Sequence, residues 1–208
     1  MYVPPHFEEV RQSEIQSILD EFPLATIVCQ NDGELIVNHI PLLLDDEKHF
    51  IGHIALANPL HKIFEDGADA LAIFHAQDTY ISPNWYKTKE TTHKHVPTWN
   101  YQVVHIKGKL RFDHSKKAKL SAVGKLTKTH EKIHSGKNEW KMADAPKDYM
   151  DEMVKNIVAF KFIVTNIMAK SKMSQNREPE DFVSVEKAMK AKDKSFLAES
   201  MARFRDNR

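Results

Sequence analysis

The side chains best suited to hold a ligand are concentrated between positions 80 and 101. Five of the eight Tyr and Trp residues of the chain fall in this stretch, in the segments TYISPNWY and VPTWNY, which the polar loop KTKETTHKH separates. Such rings combine flat apolar faces with polar tips, which suits stacking on a planar ligand or filling a subunit interface. Core packing is the alternative interpretation, and the interleaved Ser, Asn and Thr favour a site.

The segment Asn58-Pro59-Leu60-His61-Lys62 is a candidate anion site. Asn is a favoured helix cap and Pro a favoured first helical residue, so we expect a short helix to begin here. Its N-terminus would attract anions, and Lys62 adds a full charge one turn in. Because the 6 glycines include no G-x-G pair, glycine-rich phosphate loops are excluded. Side chains or a helix N-terminus must therefore hold any phosphate.

Three histidine patterns in the sequence could bind a metal, but none of them is convincing. The sequence HEKIH at 130–134 matches the H-E-x-x-H zinc motif, but the surrounding lysines are unfavourable neighbours for a cation and favour a surface helix. The pair His93 and His95 and the pair His49 and His53 could also bind a metal, yet no carboxylate pattern completes either set. We therefore predict no metal ligands.

The formal net charge of +1 hides a strong asymmetry along the chain. Residues 1–104 carry 6 Lys+Arg against 15 Asp+Glu, whereas residues 105–208 carry 24 against 14. Six of the lysines lie in the segment 115–133, which could meet DNA phosphates through a salt-sensitive contact. A solvated helix face is the alternative, and two subunits packing acidic against basic surface is another.

Composition and the N-terminus indicate a soluble cytoplasmic protein. The start MYVPPHFEEVRQ has no basic and apolar signal-peptide regions, and no apolar run approaches the length of a membrane span. The single cysteine, Cys29, cannot form an intrachain disulfide, and the segment LATIVCQ predicts a buried strand around it.

The spacing of apolar residues and turn signals predicts mixed helices and strands. Asp32-Gly33 predicts the turn of a hairpin between LATIVCQ and ELIVNHIPLLL, and a second acidic turn at 45–47 leads into the strand HFIGHIAL. Further strands are expected at DALAIFHA, WNYQVVHIKGKLRF and AFKFIVTNIMA. We expect helices at 13–21, near 58–62, at 115–133 (with Leu120, Val123 and either Leu126 or Thr127 inward), 148–157, 179–189 and 195–205.

These elements predict an α+β fold, mostly β: a mostly antiparallel β-barrel wrapped by peripheral helices, which the family resemblance described below specifies as a split barrel. Consecutive hairpins give antiparallel pairing, and the helices wrap the sheet. We expect a domain at 1–177 and a C-terminal helical tail at 178–208 packed on the same domain.

The chain resembles the PaiB-type FMN-binding negative transcriptional regulators, which are related to the pyridoxamine-oxidase-like split barrels. The resemblance rests on MYVPPHF, FPLATIV, HIPLLLD, GHIALANP, YISPNWY, VPTWNY and KMSQNR, which follow one another in this order. It covers nearly the whole chain. It implies a split-barrel homodimer with FMN sites at the subunit interface.

Carried over position by position, the resemblance implies a set of cofactor-binding residues. The flavin phosphate would lie at 56–62, the ring system beside 39–41, and the polar run SQNR at 174–177 would bond a phosphate or ribityl chain. Trp99 and Asn100 would come from the partner subunit. The complete set is His39, Pro41, Ala57, Asn58, His61, Lys62, Ser82, Trp85, Tyr86, Trp99, Asn100, Ser174, Gln175, Asn176 and Arg177.

Departures from the family pattern leave the activity open. The family more often has Arg where this chain has Leu56. Leu cannot replace the guanidinium of that Arg as a bidentate hydrogen-bond donor to the phosphate. The resemblance is compatible with a flavin-binding regulator or sensor, with a flavin-dependent oxidoreductase of the pyridoxamine-oxidase-like group, and with an interaction protein whose ligand site has decayed. Some split barrels of this wider group bind heme through a histidine, and nothing in this sequence selects an axial ligand.

Overall fold

The computed structural model describes residues 1–45, 49–65 and 67–206. Of the acidic turn expected at 45–47, residues 46 and 47 lie outside this described part. The strands are β1 (Leu24–Asn31), β2 (Glu34–Pro41), β3 (Leu43–Leu44), β4 (Phe50–Ala55), β5 (Ala68–Ile81), β6 (Thr98–Asp113) and β7 (Ile157–Lys172). The α-helices are α1 (Gln12–Glu21), α2 (Leu60–Ile63), α3 (Lys89–Thr92), α4 (Lys116–His134), α5 (Lys147–Lys155), α6 (Pro179–Ala191) and α7 (Ser195–Asp206).

The strands form one antiparallel sheet in the order β2-β1-β5-β6-β7-β4-β3. The β1–β2 hairpin turns at Asp32 and Gly33, whose φ angles of 49° and 85° are both positive, as the sequence pattern predicts for a two-residue turn. β4 pairs with β7 along its whole length, from Phe50 opposite Phe162 to Ala55 opposite Ile157. The expected antiparallel split-barrel fold with peripheral helices is confirmed.

The chain divides into two compact units, which we describe separately. The hairpin unit comprises Pro23–Ile73 and Ile106–Ile167, and the terminal unit comprises Met1–Phe22, Phe74–His105 and the chain from Met168 onward. The expected domain boundary between 177 and 178 remains a prediction.

The core of the hairpin unit is built largely from side chains of the strands. Phe50, Phe160 and Phe162 are buried there, and Gly108 on β6 lets the Phe162 ring approach its backbone. Cys29 is also buried, and burial raises the pKa of its thiol to about 11. The thiol is therefore protonated and packs as a small apolar group.

Helix α4 begins at a capped end, where the Ser115 hydroxyl accepts a hydrogen bond from the Ala118 amide at 3.2 Å. Its buried residues are Lys119, Ala122 and Leu126, whereas Leu120 is exposed. The expected inner position of Leu120 is therefore wrong. The long stem of Lys119 covers apolar surface while its ammonium reaches the Lys155 carbonyl at 3.5 Å.

The terminal unit joins the first helix to the last two. Its core includes Ile81, Met173, Phe182 and Leu197. The guanidinium of Arg203 on α7 donates to both carboxylate oxygens of the buried Glu14 on α1. This pair ties the two ends of the chain together within the unit.

Candidate functional site

In the hairpin unit, the predicted anion segment forms a compact polar loop before α2. The Asn58 amide donates to the Asn38 side-chain oxygen at 2.7 Å, and its own oxygen accepts from the Leu60 amide at 3.0 Å. A short helix does follow this segment, but its N-cap is Pro59 and its first residue is Leu60, one position later than the sequence predicts. Because α2 has only four residues, its dipole is small, so Lys62 is the main source of positive charge on this segment.

The other predicted residues of the hairpin unit differ in exposure. His61 is buried: its Nε2 lies 3.0 Å from the Leu56 carbonyl, and its ring contacts the ring of His114. This hydrogen bond orients the loop and leaves less of His61 available to a ligand. Ala57, Pro41 and His39 are exposed, and His39 Nδ1 lies 3.1 Å from the Thr26 hydroxyl.

In the terminal unit, the aromatic stretch separates into a buried and an exposed part. Tyr86 is buried, stacks on His95 at a centroid distance of 4.7 Å, and has the Arg177 guanidinium 4.8 Å from its ring centre. Trp85 packs against the core. Trp99 is 53% exposed and meets Tyr80 edge to face. Trp99 is thus the ring best placed to stack on a ligand, while Tyr86 packs internally.

The polar run at 174–177 is held partly by its own neighbours. Ser174 donates to the Asn100 side-chain oxygen at 3.1 Å, and Gln175 accepts from the Met173 amide at 2.7 Å and donates to the Ser171 carbonyl. Ser82 likewise accepts from the Asn84 amide at 3.2 Å. Asn176 is exposed.

Among the described residues of this unit, four buried side-chain polar atoms have no hydrogen-bond partner. They are the amide nitrogen of Asn100, the side-chain oxygen of Gln102, the hydroxyl of Tyr86 and Nδ1 of His95. An unsatisfied buried group costs about 1–3 kcal/mol, so a donor, an acceptor and a hydroxyl left this way point to a ligand or another chain. Gln102 was not among the predicted residues. The strand alternation shared by Asn100, Gln102 and Val104 would have found it, since it places two amides on the inward face of β6.

A buried network fixes the loop that carries Tyr86. Asp181 at the start of α6 accepts from the amide of Thr88 at 2.8 Å and from its hydroxyl at 2.7 Å. Because that hydroxyl proton points to Asp181, the His95 Nε2–H donates to the Thr88 oxygen at 2.8 Å. Neither Thr88 nor Asp181 was predicted from sequence, because nothing local marks a contact across 93 residues.

In the zinc-like motif at 130–134, the backbone already engages the glutamate. Glu131 accepts from the Trp140 amide at 2.8 Å, and hydrogen bonds from Ser135 and Trp140 lower the pKa of its carboxyl. The rings of His130 and His134 stack on each other. Within residues 1–45, 49–65 and 67–206, no group of three or more His, Cys, Asp or Glu side chains is arranged to hold a metal ion.

Several lysines of α4 are engaged within the hairpin unit. Lys116 pairs with Asp151 at 2.7 Å and Lys125 with Asp45 at 3.4 Å, while Lys119 is buried. The positive face expected from sequence is therefore smaller than its lysine count suggests. No helix in the described part of the chain is long and apolar enough to span a membrane.

Comparison with known proteins decides the family. Residues 1–166 match the family model described as "Putative FMN-binding domain". The chain belongs to this FMN-binding domain family. The chain is also similar to the protein named "Protease synthase and sporulation protein PAI 2" of Bacillus subtilis (strain 168). The two are 35% identical over 190 residues, which cover 89% of this chain and 87% of that protein.

Solved structures support the fold of this FMN-binding domain. The flavocytochrome Anf3 of Azotobacter vinelandii matches with a TM-score of 0.62 at 17% identity, covering 88% of this chain and 78% of that one. The FAD and heme binding protein of Mycobacterium smegmatis matches with a TM-score of 0.60 at 14% identity, covering 86% and 79%. The predicted resemblance to the PaiB-type family is confirmed.

Proposed function

We propose that this protein binds FMN and acts as a flavin-linked regulator or sensor. The carrying observation is the buried amide nitrogen of Asn100, a donor with no partner beside Ser174. Such a donor fits a carbonyl, hydroxyl or phosphate oxygen of the cofactor. The family assignment supports the same ligand. When bound, FMN supplies a redox-active ring, and this chain supplies its position and electrostatic surroundings.

Side chains of two subunits would supply three kinds of interaction in this proposal, because the family resemblance implies that Trp99 and Asn100 come from the partner subunit. There Trp99, which is 53% exposed, would offer an aromatic face for stacking, and Asn100 would donate a hydrogen bond. The exposed Lys62 would offer a positive charge to the phosphate. Leu56, which is 40% exposed, supplies no charge at the position where the family more often has Arg. Phosphate recognition therefore depends more heavily on Lys62 here.

The experiment is an FMN titration followed by quenching of flavin fluorescence. We expect saturable binding with a Kd in the micromolar range, and Trp99→Ala and Lys62→Ala should each weaken it roughly three- to tenfold, the size expected for one stacking or charged contact. Trp140→Ala and Lys187→Ala are matched controls outside the proposed set and should leave the Kd unchanged. Absence of saturation at about 100 μM FMN would contradict the proposal.

The regulatory role rests on the resemblance to the PaiB-type negative transcriptional regulators, and a flavin-dependent oxidoreductase is the alternative that the same resemblance leaves open. Stopped-flow mixing of the FMN complex with NADH or NADPH separates the two. Rapid reduction indicates the oxidoreductase. Absence of reduction, together with DNA binding that falls as salt rises, indicates the regulator.

We also propose that the protein is a homodimer that pairs through the outer face of β1, β2 and β5. On the edge strand β2, Leu35 and Val37 are 69% and 52% exposed. Val37 lies opposite Val28, and Val28 lies opposite Leu71, so one face carries apolar side chains on three neighbouring strands. Contiguous exposed apolar surface of this kind marks an interaction site.

Charge introduced on this face should separate the subunits. We expect Leu35→Lys combined with Val37→Lys to give a folded monomer in sedimentation velocity, because two desolvated ammonium groups cannot be buried without partners. Leu120→Lys combined with Ile133→Lys replaces exposed apolar residues on α4 and should leave the dimer intact. A wild-type chain that sediments as a monomer at about 50 μM would refute the proposed dimer.

A further inference from the structure

The terminal unit contains three positively charged side chains that lie together without a carboxylate partner. They are Lys170 and Lys172 on β7 and Arg177, which follows this strand, and they are here termed the cationic cluster. The ion pairs among residues 1–45, 49–65 and 67–206 include none of the three. The charge of the cluster is therefore uncompensated within the described part of the chain.

Neutral groups hold the two lysines in place. The Lys172 ammonium donates to the Thr98 hydroxyl and to the Trp99 carbonyl. The Lys170 ammonium donates to the Tyr2 carbonyl at 3.4 Å. An ammonium has three N–H donors, so these contacts fix both side chains, leave each with a donor for a ligand, and do not neutralise their charge.

Arg177 retains more of its hydrogen-bonding capacity than the lysines. Its guanidinium lies 4.8 Å from the centre of the Tyr86 ring, and this side chain donates no hydrogen bond to any described residue. A guanidinium carries five N–H donors in a planar fork that matches two phosphate oxygens. Arg177 can therefore bind a phosphate in a bidentate manner while its face stays on Tyr86.

The three charges repel one another in partly buried surroundings. Lys170 is 8% exposed, and Lys172 and Arg177 are half-buried. Burial lowers the pKa of the Lys172 ammonium, and the charges of Lys170 and Arg177 lower it further. Like charges held together away from bulk water cost free energy. A bound anion would remove that cost.

Two carboxylates adjoin the cluster and leave it positive. Glu9, whose amide donates to the Ala169 carbonyl, pairs with Arg11 at 2.7 Å. Glu8 lies opposite Lys170 in an isolated β-bridge, but its side chain is exposed and makes no ion pair with a described residue. The compensating negative charge must therefore come from a ligand.

We propose that the cationic cluster binds the phosphate group of a mononucleotide-like aromatic phosphate ester, in addition to FMN. A phosphate monoester carries between one and two negative charges and several acceptor oxygens, so it can engage more than one cation at once, whereas a carboxylate compensates only one. The Tyr2 ring is 82% exposed and lies 5.9 Å from the Lys170 ammonium. It offers a flat face to the aromatic part of the ligand.

This site differs from the proposed flavin contacts. The flavin phosphate is assigned to Lys62 in the hairpin unit, and neither Lys170 nor Lys172 belongs to the set that the family resemblance implies. Arg177 is common to both sets. Competition between the two ligands is therefore part of the test.

The test is isothermal titration calorimetry of the full chain with adenosine monophosphate (AMP) as the probe, without and with saturating FMN. We expect saturable binding in both cases, and at least tenfold weaker binding in the double variant Lys170→Gln, Lys172→Gln, which keeps hydrogen-bonding amides and removes two charges. The control Lys187→Gln, Lys192→Gln makes the same charge change on α6 and directly after it and should bind AMP as the wild type does. Adenosine, which lacks the phosphate, should bind at least tenfold more weakly.

Thermal unfolding gives a second measurement, which a merely structural role would not move in the same way. Because the cluster repels itself, Lys170→Gln, Lys172→Gln should leave the Tm of the free protein unchanged or raise it. AMP should raise the Tm of the wild type and not that of this variant. Tyr2→Ala should weaken AMP binding roughly threefold and leave the binding of inorganic phosphate unchanged.

Four results would overturn the proposal. They are no saturation at about 10 mM AMP, equal AMP affinity in the wild type and the Lys170→Gln, Lys172→Gln variant, equal weakening in both double variants, and displacement of AMP by FMN, which would assign the cluster to the flavin phosphate. Failure of FMN to bind, with AMP still bound, would affect only the proposed FMN function.

Discussion

Replacing Gly108 by Ala should destabilise the protein by about 3 kcal/mol or more. A Cβ at position 108 would lie 2.4 Å from the Phe162 ring and 2.5 Å from the Ile163 carbonyl oxygen. The ring belongs to the packed core, and the carbonyl belongs to the backbone of β7, so neither can yield without moving a strand. The free energy of unfolding in urea, followed by circular dichroism, measures the effect.

The same substitution at Gly124 is the matched control. Gly124 lies inside α4, where an added Cβ meets only the Met142 sulfur at 3.7 Å, an ordinary contact. Alanine is the better helix former by about 1 kcal/mol, so Gly124→Ala should raise the free energy of unfolding. If Gly108→Ala changes the free energy of unfolding by less than about 0.5 kcal/mol, the close approach of Phe162 to β6 is wrong.

Replacing Asp181 by Ala should cost about 3 kcal/mol of stability. The carboxylate is 1% exposed and accepts both the amide and the hydroxyl of Thr88. Its loss leaves the amide and the hydroxyl of the half-buried Thr88 without their acceptor and removes the group that orients Thr88 toward His95. Because His95 stacks on Tyr86, the loop at 86–95 should also become more mobile.

Thermal and urea unfolding, together with hydrogen exchange at the amides of 86–95, measure this effect. Glu180→Ala is the matched control, since Glu180 also lies in the first turn of α6 but is exposed. It should change stability by less than about 0.5 kcal/mol. Equal effects of the two variants would show that the first-turn charge of α6, and not the buried network, accounts for the loss.

The local signals in the sequence were sufficient for much of the fold. A two-residue hairpin turn requires positive φ angles, which Asp32 and Gly33 both adopt, so this pair predicts the first hairpin. The Ser115 hydroxyl caps the first turn of α4 by accepting from the Ala118 amide. The ordered family motifs indicated the PaiB-type family, and that family implied the split barrel. Each of these depends on residues within a few positions of one another or on an ordered set of short segments.

Tertiary structure decided which predicted residues face a ligand. The sequence placed Trp99 and Tyr86 in one aromatic group, but Tyr86 is covered by His95 and Arg177 while Trp99 stays exposed. His61 and Lys62 are neighbours in the sequence, yet only Lys62 is exposed. Periodicity defines the faces of an element but not which neighbour covers each face.

The same reason explains the inner face of α4 and the buried network of Asp181. Leu120 is more apolar than Lys119, yet the packing of α4 turns Lys119 inward, where its stem is covered and its ammonium reaches a carbonyl. Thr88 and Asp181 are 93 positions apart. Contacts between residues so far apart in the sequence depend on how the strands and helices pack. The sequence alone therefore determined the elements and the family, and the tertiary structure determined which side chains are available for chemistry.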